Sequence, residues 1–145
     1  MNLSPRFAFL SAERQAVAAG STEHVITLDH RTHLMWAARP LPIQYRHRAA
    51  RKACREFDLG GFADWRLPSV KRLQTILDRS RFSPAIDPEA FPDTPSSFFW
   101  TSTRATWNKS SVAWFVGFGL GGVGTVNRGH RAFVRPVRSV LPAGQ

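Results

Sequence analysis

The 145-residue sequence predicts a single α+β domain, 1–145, with residues 1–22 as an extension or partner-binding arm. Three observations carry that reading. Two stretches in the first half have helical periodicity, and short apolar runs of strand character lie before and after them. The third is a junction, Gly60-Gly61-Phe62-Ala63-Asp64-Trp65-Arg66-Leu67-Pro68-Ser69, which reads as a glycine turn, a short extended piece and a new helix. Pro68 biases Leu67 away from the helical region, and Ser69 is placed to cap the helix after it. Trp65 brings a large ring to the junction, with an indole N–H that needs a partner if buried.

In chain order, Met1 to Gly20 is weakly patterned, with Phe7, Phe9 and Leu10 as an entry strand or a partner contact. His24–Leu28 and Leu34–Trp36 read as strands around a turn at Asp29-His30, followed by a proline-containing loop at 38–42. Gln44–Phe57 is expected to be a helix. Ala49, Ala50, Ala53, Cys54 and Phe57 lie on one face, with Arg48, Arg51, Lys52 and Arg55 on the other. The second helix is expected from Ser69 to Arg79, with Val70, Leu73, Ile76 and Leu77 inward. Ser83–Ser97 holds four prolines and reads as a long ordered loop. Phe98–Thr103, Val112–Phe118, Gly124–Val126 and Ala132–Arg138 read as later strands. Val112–Phe118 is apolar on both alternate faces, as in a strand covered on two sides.

Twenty basic residues against ten acidic give a net charge of +10, and seventeen of the twenty are Arg. Such a surface attracts nucleic acid, acidic polysaccharide or an acidic protein face, and Arg favours bidentate contacts to phosphate, carboxylate or sulfate. A GC-rich genome would produce the same excess. No apolar run approaches the 18 residues of a transmembrane helix, so membrane insertion is not expected. The N-terminus lacks a clean signal-peptide core, which points to synthesis in the cytoplasm without export of that kind. Cys54 stands alone, so an internal disulfide and a four-cysteine zinc site are excluded.

The junction also carries a resemblance. Gly-Gly-x-x-Asp-Trp-Arg-Leu-Pro-Ser before Leu73-Gln74-Thr75-Ile76-Leu77 is similar to the signature of a bacterial and phage domain family. The reference member of that family is the C-terminal domain of the Legionella collagen-like adhesin. Val25–Trp36, Ala85-Ile86-Asp87-Pro88 with Phe91-Pro92, Phe99–Thr103 and Val134–Arg138 resemble further segments of it, in the same order. The resemblance implies a C-type-lectin-like α+β fold, with two helices on a mixed, mainly antiparallel sheet and long loops. Asp64, Trp65 and Pro68, with Trp36 and Trp100, would form its structural hub. It also implies a Cys on the first helix paired with one in the closing strand. Here Cys54 holds the first place and Pro136 the second, so that bridge is missing.

The sequence offers several candidate sites. Gly117-Phe118-Gly119-Leu120-Gly121-Gly122 formally matches a dinucleotide fingerprint, but a strand and not a helix is expected after it, so it reads as a hairpin. His24, His30 and His33 are close in sequence but would point in different directions, and no metal site is expected. No Asp or Glu occurs after Thr94, which argues against calcium-mediated sugar binding. No cofactor and no catalytic constellation is expected, and Cys54 falls on an inner helix face.

The leading binding surface is the late-loop group Arg104, Trp107, Asn108, Lys109, Arg128, His130 and Arg131, together with the Gly121-Gly122 hairpin. Trp107 is there an interface anchor or simply core. The alternative is the basic helix face Arg48, Arg51, Lys52 and Arg55, joined by Arg72, which stands where the family usually has a capping glutamate. The expected function is a phage or prophage recognition module that contacts an anionic glycan or protein on a bacterial surface. One alternative is an intracellular accessory protein that binds nucleic acid or a nucleoprotein complex. Another is a structural, self-associating virion subunit.

Overall fold

The computed structural model describes residues 5–105, 107 and 111–140. Seven strands and two short helices run in the order β1 (Phe7–Leu10), β2 (Ile26–Asp29), β3 (Leu34–Ala37), α1 (His47–Arg55), α2 (Val70–Gln74), β4 (Phe98–Arg104), β5 (Val112–Gly117), β6 (Val123–Asn127) and β7 (Val137–Ser139). The α+β class holds. The strands form two antiparallel sheets in place of the one mixed sheet expected: β1-β2-β3-β7, and β4-β5-β6. A stretch before β7 links them. Phe133 bridges to Phe99 in parallel, and four residues later Val137 joins β3 in the other sheet. The expected strand Ala132–Arg138 is thus divided between the two sheets.

Both helices are shorter than their periodicity suggests. Tyr45 exchanges backbone hydrogen bonds with Ala132 at 2.8 and 2.9 Å, and Arg46 is extended (φ −72°, ψ 157°), so α1 starts at His47. Its buried face is His47, Ala50 and Cys54; Ala49, expected inside, is exposed. Ser69 caps α2 by accepting from the Arg72 N–H at 3.1 Å. After Gln74 the chain makes tight turns, with Thr75 N bonded to Arg72 O, and Asp78 N then turns to Ala85 O. Leu73 and Ile76 are still buried, so the apolar spacing outlasts the helix that it predicts.

The hub residues behave as a frame. Trp65 is buried and donates from Nε1 to Leu59 O, Trp100 donates to Tyr45 O at 2.6 Å, and Trp36 is fully enclosed. Asp64 receives Arg138 at 2.7 Å, and the Pro68 carbonyl accepts from Ser102 N at 2.8 Å. The proline-rich stretch between α2 and β4 is ordered by burial of Ala85, Ile86, Ala90 and Phe91. At the centre of the link between sheets sits Arg135. It is fully buried between the rings of Phe91 and Phe99 and donates to Ala37 O, Ala38 O and Thr94 Oγ1. Burial lowers its pKa to about 9, which leaves it charged at neutral pH.

A candidate anion-binding face

The second sheet has two unlike ends. At one, β4 finishes at Arg104, β5 begins at Val112, and β6 finishes at Asn127 beside Arg128. Arg128 N bonds to Ser111 O, and Arg128 O accepts from His47 N at 3.1 Å, which fastens the start of α1 to this end. His47 Nε2 donates to Thr101 O at 2.8 Å. The first turn of α2 reaches the same end of β4, since Val70 N donates to Thr103 Oγ1 at 2.9 Å. The late-loop group and the basic helix, alternatives in the sequence, therefore meet on one end of the molecule.

Charge accumulates there. Arg48, Arg51, Lys52 and Arg55 are exposed along α1, Arg72 is exposed on α2, Arg104 at the end of β4, and His130 and Arg131 on the loop after β6. Arg128 is half-buried, with a buried Nε that has no partner among the described residues. His47 registers the field. Burial lowers its pKa first, and the cations Arg128 and Arg51 lower it further against the opposing hydrogen bond to Thr101. Carboxylates are engaged elsewhere: Asp29 with Arg6, Asp93 with Arg39, Asp78 with Arg81 and Asp64 with Arg138. On this end Lys52 pairs with Glu56 at 3.9 Å, and Asp64, already held by Arg138, also lies within electrostatic reach of Arg66.

Within this face lies a cleft of about 250 Å³ lined by Arg51, Arg55, Arg66, Leu67 and Ser102. Three arginines, a serine and no acidic residue line it, a residue set that suits an oxyanion at the mouth of the cleft. Arg66 was missed by the sequence reading, which treated the junction as framework. The signal was present: in an extended segment with Trp65 and Leu67 buried, Arg66 must face the other way. One of its Nη groups donates to Ser139 Oγ at 2.7 Å.

Trp107 is 65% exposed and meets Trp114 edge to face at 5.7 Å, so it is a surface ring and not core. Asn108 and Lys109 lie outside the described residues. The Gly121-Gly122 hairpin does not belong with the late-loop cations; it closes the opposite end of the sheet, where Gly117 N bonds to Gly122 O. The element directly after these glycines is the strand β6 and not a helix, as the hairpin reading requires. Of the three nearby histidines His24 is buried, with Nε2 on Thr27 Oγ1 and Nδ1 accepting from Gly20 N, while His30 and His33 are exposed. Cys54 is buried, and burial raises its pKa to about 12.

A small two-sheet domain with one cationic, concave end has the form of a binding module. Residues 25–138 match the Lcl C-terminal domain family, and the chain belongs to that family. Membership places it, at the coarse level, among adhesin-like binding domains. The match begins just before β2, so β1 lies outside it. A search of curated proteins finds no match.

Proposed function

We propose that this chain is a non-catalytic recognition module whose cationic end binds an anionic glycan or protein on a bacterial surface. The observation that carries the reading is the convergence of Arg51, Arg55 and Arg66 on one cleft lined by no carboxylate. Arg128 and the exposed Trp107 belong to the same end. A guanidinium fork binds carboxylate, sulfate or phosphate oxygens in pairs, and Trp107 supplies a rigid apolar surface beside them. The buried, protonated thiol of Cys54 supports a role without covalent chemistry. The two sheets and two short helices are further read as a C-type-lectin-like arrangement, which superposition on a C-type lectin would test.

The second reading, an intracellular nucleic-acid or nucleoprotein binder, is favoured by the same pairing of arginines with an exposed tryptophan, because bases stack on such rings. One experiment separates the two. Purified protein is incubated with nuclease-treated bacterial envelopes and, in parallel, with single- and double-stranded nucleic acid. Retention on envelopes that falls about tenfold or more in Arg51→Glu/Arg55→Glu supports surface recognition, since each charge-assisted contact is worth about 1.5–3 kcal/mol. Binding to nucleic acid alone, lost in the same variant, moves the function inside the cell. Envelope binding untouched by the double reversal would overturn the site.

A further inference from the structure

Helix α1 roofs part of one face of the second sheet, where Ala50 and Cys54 pack with Trp100 and Ala113. Side chains alternate along a strand, so Phe98 and Phe115 stand on the same face as Trp100 and Ala113. They lie outside that cluster, stacked on each other with ring centroids 3.9 Å apart, and Phe98 is 46% exposed. Phe98, Phe115, Leu120 and Val123 wall a cavity of about 340 Å³ at this end of the sheet. Apart from Ser96 and Ser97, the rest of its lining is glycine. A volume of that order falls within the range of small-molecule sites, which begins at about 300 Å³.

Two of those glycines have no reason inside the molecule. Gly119 and Gly122 lack the positive φ that calls for glycine. A Cβ built at Gly122 meets nothing within 4 Å, and one at Gly119 meets only Ser96 O at 3.9 Å. Neither backbone nor packing excludes a side chain at these positions, yet none fills the space. A cation stands beside it. Arg79 is exposed, and one of its Nη groups donates at 3.2 Å to the carbonyl of Gly121, the residue between the lining positions Leu120 and Gly122. Among the described residues no carboxylate pairs with Arg79, since its chain neighbour Asp78 is taken by Arg81 and Ser80. No acidic residue lines the cavity.

We propose that this cavity binds a small amphiphilic carboxylate, with its alkyl chain on the Phe98–Phe115 pair and its head group on Arg79. The chain leaves water against aromatic and aliphatic walls, and a guanidinium takes a carboxylate through paired N–H bonds. Charge selects the head group. A neutral one would leave the guanidinium without a counter-ion, and a cationic one would be repelled by Arg79 and by a +10 molecule. The cavity lies toward the opposite end of the sheet from Arg51, Arg55 and Arg66, so the inference does not rest on the anion-binding reading of that end.

Isothermal titration calorimetry with decanoate, below its micelle concentration and in physiological salt that screens distant cations, tests this. The expected result is one saturable site per chain. Gly122→Leu and Gly119→Leu fill the cavity from positions where a side chain fits. Both should stay folded by near-ultraviolet circular dichroism and lose the binding. Arg79→Gln should weaken it about tenfold, as expected for one charge-assisted contact. Decyltrimethylammonium, with the same chain and the opposite charge, should not bind, and Arg51→Glu/Arg55→Glu should leave decanoate binding unchanged. The lack of a saturable site would overturn the proposal. So would binding that survives in a folded glycine variant, equal affinity in Arg79→Gln, or loss in the double reversal. Retention on phosphatidylglycerol vesicles without a decanoate site would also overturn it and assign this end to a membrane surface.

Discussion

His24 has both ring nitrogens committed: Nδ1 accepts from Gly20 N, so Nε2 carries the proton and donates to Thr27 Oγ1, whose hydroxyl passes on to Ala90 O at 2.6 Å. Protonating Nδ1 would set two donors against each other. His24 and His47 are both held below the ordinary histidine pKa. Burial is the main cause, with Arg39 adding for the first and Arg128 and Arg51 for the second. A lowered folded pKa means that the unfolded chain binds protons first. The stability from keeping both rings neutral is therefore complete above about pH 6.5 and is lost as pH falls toward the folded values. Urea unfolding between about pH 5 and 8 should show this acid limb, and His47→Gln, which keeps a donor for Thr101 O, should flatten it. Arg135 is the other residue with no substitute. Arg135→Ala would strand two carbonyls and leave a void between two phenylalanine rings, a loss of about 3 kcal/mol or more in the same assay. Neither role was legible in sequence, because burial of a His or Arg depends on partners distant in the chain: Arg135 lies 97 and 98 positions from its carbonyl acceptors. Trp107 was legible as a candidate but ambiguous, since the same ring suits core or surface.

Among elements, α2 shows how local signals hold where they are local. The Pro68-Ser69 start was readable, and Ser69 caps as expected, because both act within one turn. Its end was not, because Asp78 leaves the helix for a backbone bond to Ala85, a tertiary contact. Likewise Tyr45 and Arg46 have helical neighbours yet stay extended, since Ala132 supplies strand bonds that the sequence does not announce. Ser69→Ala should cost about 1 kcal/mol through loss of the cap. Arg72→Glu should raise stability by about 0.5 kcal/mol, because a glutamate completes a capping box and suits the positive helix end. If Arg72 serves the anionic ligand, the same variant binds less well while melting higher. Thermal unfolding and envelope binding measured on one preparation would show that opposition.

At the scale of the whole molecule, the sequence revealed the cationic character but not its layout. Two candidate faces, one on a helix and one on late loops, were separate in the chain. They become one surface because Arg128 O anchors His47 N and because the α2 cap sits on the end of β4. The division into two sheets was also out of reach, since it depends on Phe133 and Val137 choosing different partners four residues apart. The second sheet thereby has unlike ends, with Arg104 and Arg128 at one and exposed Phe98 and Leu120, beside Arg79, at the other. Anion binding should weaken with added salt.

The most direct test of the central claim is an NMR titration of the amide-labelled protein with inorganic polyphosphate as the anionic probe. Shifts confined to α1, Arg66-Leu67, Ser102 and Arg128, and lost in Arg51→Glu/Arg55→Glu, are the predicted result. Shifts spread evenly over all surface arginines, Arg39, Arg79 and Arg81 included, or centred away from α1, would contradict a built anion site and reduce the charge to a diffuse property of the surface.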